Sequence, residues 1–224
     1  MRVGIALLTV LSGLWLTGCA ANPAQDKPQA TVNTPSAQAT TAVRAASDVL
    51  PIRPDSTIGF VGSKVTGSHQ GGFKSFEGAV YLVEQNPEKS SVEVTIHMDS
   101  TFADDPDLTD HLLSPDFFDV EKFPTSTFKS TRIARSGDGY QVTGDFTLHG
   151  VTKSISFPAR IAEENGTWVT TAEFSIKRFD WKIMYPGKAD NLIRDEVLIQ
   201  LDLKAGGSAP GADEATPPDD GSTP

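Results

Sequence analysis

Few residues in this chain have the type and spacing that chemistry requires. Its four histidines, His69, His97, His111 and His149, are far apart, with no His-x-x-x-His pair to set two metal ligands on one helical face. His97 falls on the polar side of an alternating stretch and reads as solvated. The other three read as hydrogen-bonding groups that fix loops and a helix, and no metal site is expected. The run DDPDLTDH (104–111) has the carboxylates of a calcium loop but lacks its turn glycine and closing bidentate Glu. Acids at a helix start are explained by the helix dipole alone. Asp180, two residues after Arg178, reads as one half of an ion pair pinning a turn. No Gly-x-Ser-x-Gly elbow, phosphate loop or dinucleotide fingerprint is present. Asn165-Gly166-Thr167 has the form of a glycosylation sequon and reads as a hairpin turn. The expectation is a protein that is no enzyme and uses no cofactor, other than a lipid it could hold as ligand.

One thiol remains. Cys19 is the only cysteine, so it cannot form an internal disulfide. It follows Met1-Arg2 and a mostly apolar run over residues 3–16, which has signal-peptide length and is too short to span a bilayer. The tetrad Leu16-Thr17-Gly18-Cys19 resembles the lipobox of bacterial lipoproteins, where the peptidase cuts before the cysteine and the thiol carries diacylglycerol. An ordinary secretory signal with an incidental cysteine is the alternative. The resemblance implies a signal peptide over residues 1–18, lipidation of Cys19 and attachment to a membrane through acyl chains; two chains anchor stably where one does not. Ala20, in place of Asp, implies the outer membrane, facing the periplasm, as the position in the cell envelope.

Residues 19–47 are Ala, Thr, Gln, Pro, Asn and Ser with almost no large apolar side chain, which predicts a lipidated cysteine followed by a disordered linker. Such a leash spans about 30 Å as a coil and on the order of 100 Å pulled straight. Residues 206–224 are similar, with extra acid, and are expected to be a disordered tail. Residues 48–205 are long enough for one domain with its own core. The chain has 29 acidic against 19 basic side chains, a net charge of −10. A nucleic-acid partner is therefore not expected, and attraction to anionic lipid heads is disfavoured.

Eight segments of the domain alternate with period two, the signature of strands with one apolar face. SVEVTIHM (91–98) sets Val92, Val94, Ile96 and Met98 against Ser91, Glu93, Thr95 and His97, and EVLIQLDL (196–203) repeats this with Val197, Ile199, Leu201 and Leu203. YQVTGDFTLHG (140–150), SISFPARI (154–161) and TTAEFSI (170–176) follow the same rule. TIGFVGSKV (57–65), FEGAVYLV (76–83) and TSTFKSTRI (125–133) are weaker versions. Asn86-Pro87, Gly137-Asp138-Gly139 and Asn165-Gly166 mark turns. Between the third and fourth segments, DDPDLTDHLLSPDFF (104–118) predicts one short helix, with Pro106 in its first turn and Pro115 after its end. The fold class is all-β: an eight-stranded antiparallel barrel or a two-sheet sandwich. An eight-stranded barrel is wide enough either to be filled by side chains or to hold one slender ligand.

Four motifs in this order, HQGGFKSFEG (69–78), HLLSPDFFDVEKFPTSTFKS (111–130), VTGDFTLHGVTKSISF (142–157) and FSIKRFDWKI (174–183), resemble the YceI-like family of bacterial periplasmic proteins. The resemblance implies a lipocalin-like eight-stranded barrel capped by a helix, with a polyisoprenoid or other long-chain amphiphile bound in its interior; some members form homodimers. The fourth motif departs from the family's Arg-x-Asp-Phe-Gly, with Trp181 as the aromatic and Lys182 where the glycine stands. The expected lining of the interior is Phe60, Val80, Leu82, Val94, Ile96, Phe128, Val142, Phe146, Phe157, Phe174, Ile199 and Leu201, with Phe117 and Phe118 packing the helix on the barrel. Withdrawing about ten methylenes from water is worth on the order of 8 kcal/mol gross, so a hydrocarbon could bind without polar contacts even after association costs. Three functions stay open: a lipid-anchored carrier or sequestering protein for a quinone-type or polyprenyl lipid, a ligand-free structural barrel, and a lipid-modifying enzyme.

Overall fold

In the computed structural model, residues 20–35 and 47–207 are described; Cys19, the signal segment and the acidic tail past 207 fall outside them. Wherever alternation gives a strand one apolar face, burying that face drives pairing with a neighbour. The strands are β1 (Thr31–Asn33), β2 (Asp48–Pro51), β3 (Thr57–Lys64), β4 (Gly67–Phe73), β5 (Phe76–Leu82), β6 (Ser91–His97) and β7 (Thr101–Ala103). After helix α1 (Pro106–Leu113) come β8 (Thr125–Ser136), β9 (Gly139–Leu148), β10 (Val151–Glu164), β11 (Thr167–Lys177), β12 (Gly187–Lys188), β13 (Asn191–Leu192) and β14 (Glu196–Gly206).

Two bends close the sheet. Only Lys74 and Ser75 separate β4 from β5, and a 3-10 turn, Met98–Ser100, separates β6 from β7. β5 pairs with β6 while β4 pairs with β7, so each couple acts as one strand bent at mid-length. Hydrogen bonding then runs from β3 through β4–β5, β6–β7, β8, β9, β10, β11 and β14 back to β3. These are eight staves of an antiparallel barrel, and closure leaves no long edge to template association. The stave count agrees with the sequence; the number of strand segments does not. β4 carries no strand signal in the sequence, because Gly71 and Gly72 interrupt its alternation, and β1, β2, β7, β12 and β13 are too short to show a period.

The turns follow local chemistry. Asn165 and Gly166 both have positive φ, 53° and 81°, the geometry of the tight β10–β11 hairpin. Helix α1 begins where expected: the Asp105 carboxylate accepts from the Leu108 N–H at 3.1 Å, Pro106 occupies the first turn, and Ser114 caps the end through His111 O.

The linker expectation is corrected for residues 20–35, which pack on the barrel. The β10–β11 ladder covers only Arg160–Glu164 against Thr167–Thr171. Beyond it the two strands separate, and the N-terminal segment fills the gap. Thr31, Val32 and Asn33 pair with Ser156, Ile155 and Ser154 of β10. On the other side the Ala30 N–H donates to Ser175 O, and the Ser175 N–H to Pro28 O, both at 2.8 Å. Ala24 covers Val61 and Leu198, and Lys27 pairs with Glu173. The physical reason is that β10 and β11 would otherwise leave unpaired backbone groups beside the core. Small side chains, Ala24 and Ala30, suit a strand laid close against a wall. At the other boundary, Gly206 still belongs to β14.

Candidate functional site

Inward side chains from every stave converge on the barrel axis, and they do not fill it. A cavity of about 230 Å³ runs from Ile193 and Arg194 at the helix-capped end to Pro87, Ser90 and Trp168 at the hairpin end. All twelve residues expected to line an interior, Phe60, Val80, Leu82, Val94, Ile96, Phe128, Val142, Phe146, Phe157, Phe174, Ile199 and Leu201, are on its wall. Sequence reasoning left out Ile58, Val92, Ile133, Ile176 and Leu203, which also line it. Their alternation was visible in the same segments. A cavity of about 150 Å³ holds one benzene, so this one takes roughly ten carbons, about two isoprene units.

Aromatic rings form much of the wall, and two glycines determine how they lie. Phe157 and Phe174 stack at 4.1 Å with only 10° between their planes, where the backbones of β10 and β11 have parted. Phe128 lies over Gly144 and Phe60 over Gly71. A Cβ on either glycine would be 2.4 Å from the tip of the ring. Without a side chain on either glycine, each ring can lie across the backbone of the neighbouring strand.

The helix end is sealed by aromatic and histidine contacts. Phe118 packs on Phe60 and Phe73, with ring centroids 6.4 and 6.3 Å away. His111 presents its ring edge-on to Phe117 and Tyr185, at 4.9 and 4.8 Å, and its Nε2 is 2.9 Å from Asp116. Phe117 and Phe118 therefore join the helix to the barrel and also line the end of the cavity. The Trp181 side chain is fully buried, donates through Nε1 to Phe146 O at 3.3 Å, and its own carbonyl is 3.1 Å from His149 Nδ1. His69 Nδ1 lies 2.9 Å from Asp104, whose other oxygen accepts from the Gln70 N–H. That backbone donor, with His69 beside it, holds the Asp104 carboxyl below its usual range. His97 is 3.8 Å from Glu77 on the outer surface. Among the described residues no three His, Cys, Asp or Glu side chains gather in a metal-binding group.

Arg178 overturns one expectation. It makes no ion pair with Asp180. Its guanidinium, only 4% exposed, donates to the carbonyls of Ile183, Arg194 and Ile193 at 2.7, 3.1 and 3.3 Å. Burial pulls its pKa down from the ordinary value, with Asp195 working against that shift. A cation satisfied by three carbonyls ties the long β11–β14 connection to the end of the barrel. An Arg178–Asp180 pair would have left those carbonyls without donors.

Polar groups are sparse on the cavity wall. Ser91 Oγ and Arg194 Nε, on wall residues at opposite ends, are buried with no hydrogen-bond partner among the described residues. At the hairpin end a polar groove of about 580 Å³, walled by Glu84, Glu88, Arg135, Tyr140 and Glu163, shares Pro87, Ile161 and Trp168 with the cavity. The polar groove thus abuts the apolar interior across these three side chains. This arrangement can take up a hydrocarbon chain, with polar groups just beyond the hairpin end.

A closed antiparallel barrel with an oily axial cavity is the architecture of a binding protein for apolar molecules. The chain belongs to the YceI-like family: residues 52–205 match the YceI-like domain. A UPF0312 protein of Photorhabdus laumondii is 42% identical over 94 residues, covering 42% of this chain and 49% of that protein. The chain spans about half the length of the curated relatives it matches. Among solved structures it resembles BcnA of Burkholderia cenocepacia, with a TM-score of 0.61 and 27% identity over 67% of this chain and 96% of that one. A polyisoprenoid-binding domain of Saccharophagus degradans shares the fold at a TM-score of 0.57 and 15% identity, covering 71% of this chain and 98% of that one.

Proposed function

We propose that this protein is a lipid-anchored component of the cell envelope, held at Cys19 in the outer membrane and facing the periplasm. Its barrel carries or sequesters one long-chain isoprenoid-like lipid, of quinone or polyprenyl type. The observation that carries the reading is the apolar cavity along the barrel axis, with all twelve expected residues among its lining. The polyisoprenoid-binding description of the Saccharophagus degradans domain supports the ligand class. The lipobox-like tetrad before Ala20 supports the anchor. A tail of about two isoprene units fits the cavity as it stands. A longer tail continues into the polar groove beside Trp168, where its head meets water.

Mass spectrometry of lipid that co-purifies with the full-length protein tests the cavity. A stoichiometric long-chain species is expected; an empty protein that also fails to bind ubiquinone or polyprenol on titration leaves a purely structural barrel. For the anchor, a Cys19→Ser variant is expected in the soluble fraction, and retention of that variant on membranes as firm as wild type refutes lipidation as the tether.

A further inference from the structure

The start of the described chain is fastened to the barrel. The Ala20 N–H donates to Val65 O at 3.2 Å, and Ala20 O accepts from Arg194 Nη2 at 3.1 Å. The Val65 N–H in turn donates to Leu192 O at 3.3 Å. At this end of the barrel Val65, Phe179, Met184 and Leu192 are 39, 41, 57 and 51% exposed. They are four of the six large exposed hydrophobic side chains found among the described residues. All four are on the β3–β4 turn or the connection over residues 178–195, at the helix-capped end. Charges beside them are mixed, with Lys182 and Lys188 against Asp180, Asp190 and Asp195.

We propose that this end of the barrel is a bilayer-docking face, in which Val65, Phe179, Met184 and Leu192 enter the same leaflet as the acyl chains on Cys19. The inference rests on the anchor reading above. One residue extends the chain by at most about 3.5 Å, so a lipidated Cys19 next to the fastened Ala20 brings this face onto the lipid surface. A protein partner would have to compete for a patch that the anchor already holds against the membrane. Mixed charge leaves apolar burial as the attraction, so docking resists salt. Ile193 and Arg194 belong both to this end and to the cavity wall. Docking therefore sets the sealed end of the cavity on the bilayer and leaves the polar groove at the hairpin end facing water.

The test uses full-length acylated protein in phosphatidylethanolamine–phosphatidylglycerol vesicles, with Met184→Cys, Leu192→Cys or Asp138→Cys labelled by an environment-sensitive bimane. Acylated Cys19 does not react with the label, and Asp138 is exposed on the β8–β9 turn at the opposite end. Labels at 184 and 192 are expected to lose most of their emission to a lipid-borne quencher, equally in 1 M salt, while the label at 138 keeps its emission. Quenching at 184 and 192 no greater than at 138, with Cys19 acylation verified by mass, overturns the docking face and leaves anchor and cavity standing. An unacylated Cys19 overturns anchor and docking together. In a Met184→Glu, Leu192→Glu variant labelled at Val65→Cys, membrane fractionation and co-purified lipid should persist while quenching falls several-fold. Unchanged quenching there overturns the proposal.

Discussion

Lys182 occupies a backbone position that suits glycine. Its φ of 61° and ψ of 21° are left-handed, and it caps the 3-10 turn Arg178–Trp181 with its N–H on Arg178 O and Phe179 O. The YceI-like pattern places glycine here, and the conformation supplies the reason. Lys182→Gly is expected to stabilise the protein by about 1 kcal/mol by relieving the Cβ clash, read from denaturant midpoints at unchanged slope. Gly144 makes the opposite case. Gly144→Ala places a methyl group against the Phe128 ring and Lys129 O, so the ring turns toward the axis. The expected outcome is a barrel of lowered stability, because Lys129 O cannot turn aside, that retains several-fold less co-purified lipid when folded. The aromatics of the wall were legible one by one from alternation. That two glycines hold their rings aside was not, because a glycine in a strand carries no sign of which side chain crosses it.

The N-terminal segment is the element in which sequence and structure differ most. Its Ala, Thr, Pro and Gln content cannot form a core, and the expectation of disorder followed from that. Tertiary structure supplies what composition could not: a gap between two parted strands whose backbone groups need partners. A signal did exist elsewhere, in Val61 and Leu198. Both are apolar on the outward face of strands that otherwise alternate, and both lie under Ala24. The contact also titrates. Hydrogen bonds from Lys27 and Gln200 hold Glu173 below its ordinary value of 4.5. A carboxylate with a lowered folded pKa gives its stabilisation in full above the unfolded value, and loses it as pH falls through the folded one. Release of residues 27–33 should therefore rise below about pH 4.5, followed through the Val32 methyl signals by NMR. Glu173→Gln is expected to remove that pH dependence, and a release curve unchanged by the substitution rules out this cause. Both side chains are about a third exposed, so the effect on global stability is small.

For the whole molecule, the main physical fact is a barrel that closes without filling. Its volume sets a length scale for ligands. Across geraniol, farnesol and longer prenols, affinity is expected to climb steeply to about two isoprene units and then to flatten, each further unit meeting the polar groove instead of the oily wall. Calorimetric titration of that series checks it; equal gains per unit through four units would mean that the wall opens to admit a longer tail. A net charge of −10 favours a hydrated outer surface, against which the exposed apolar side chains near Ala20 stand apart.

The sequence by itself determined the eight staves, the single helix with its Asp105 cap, and the twelve inward positions, because period-two alternation and helix-start chemistry are local properties. Tertiary structure alone decided that the interior stays open, that Arg178 turns to carbonyls and away from Asp180, and that residues 20–35 add a short stave to the wall. Each of these depends on groups distant in sequence competing for one volume or one hydrogen bond. A periodic pattern tells which side a residue faces, and only assembly tells whether the facing side chains meet.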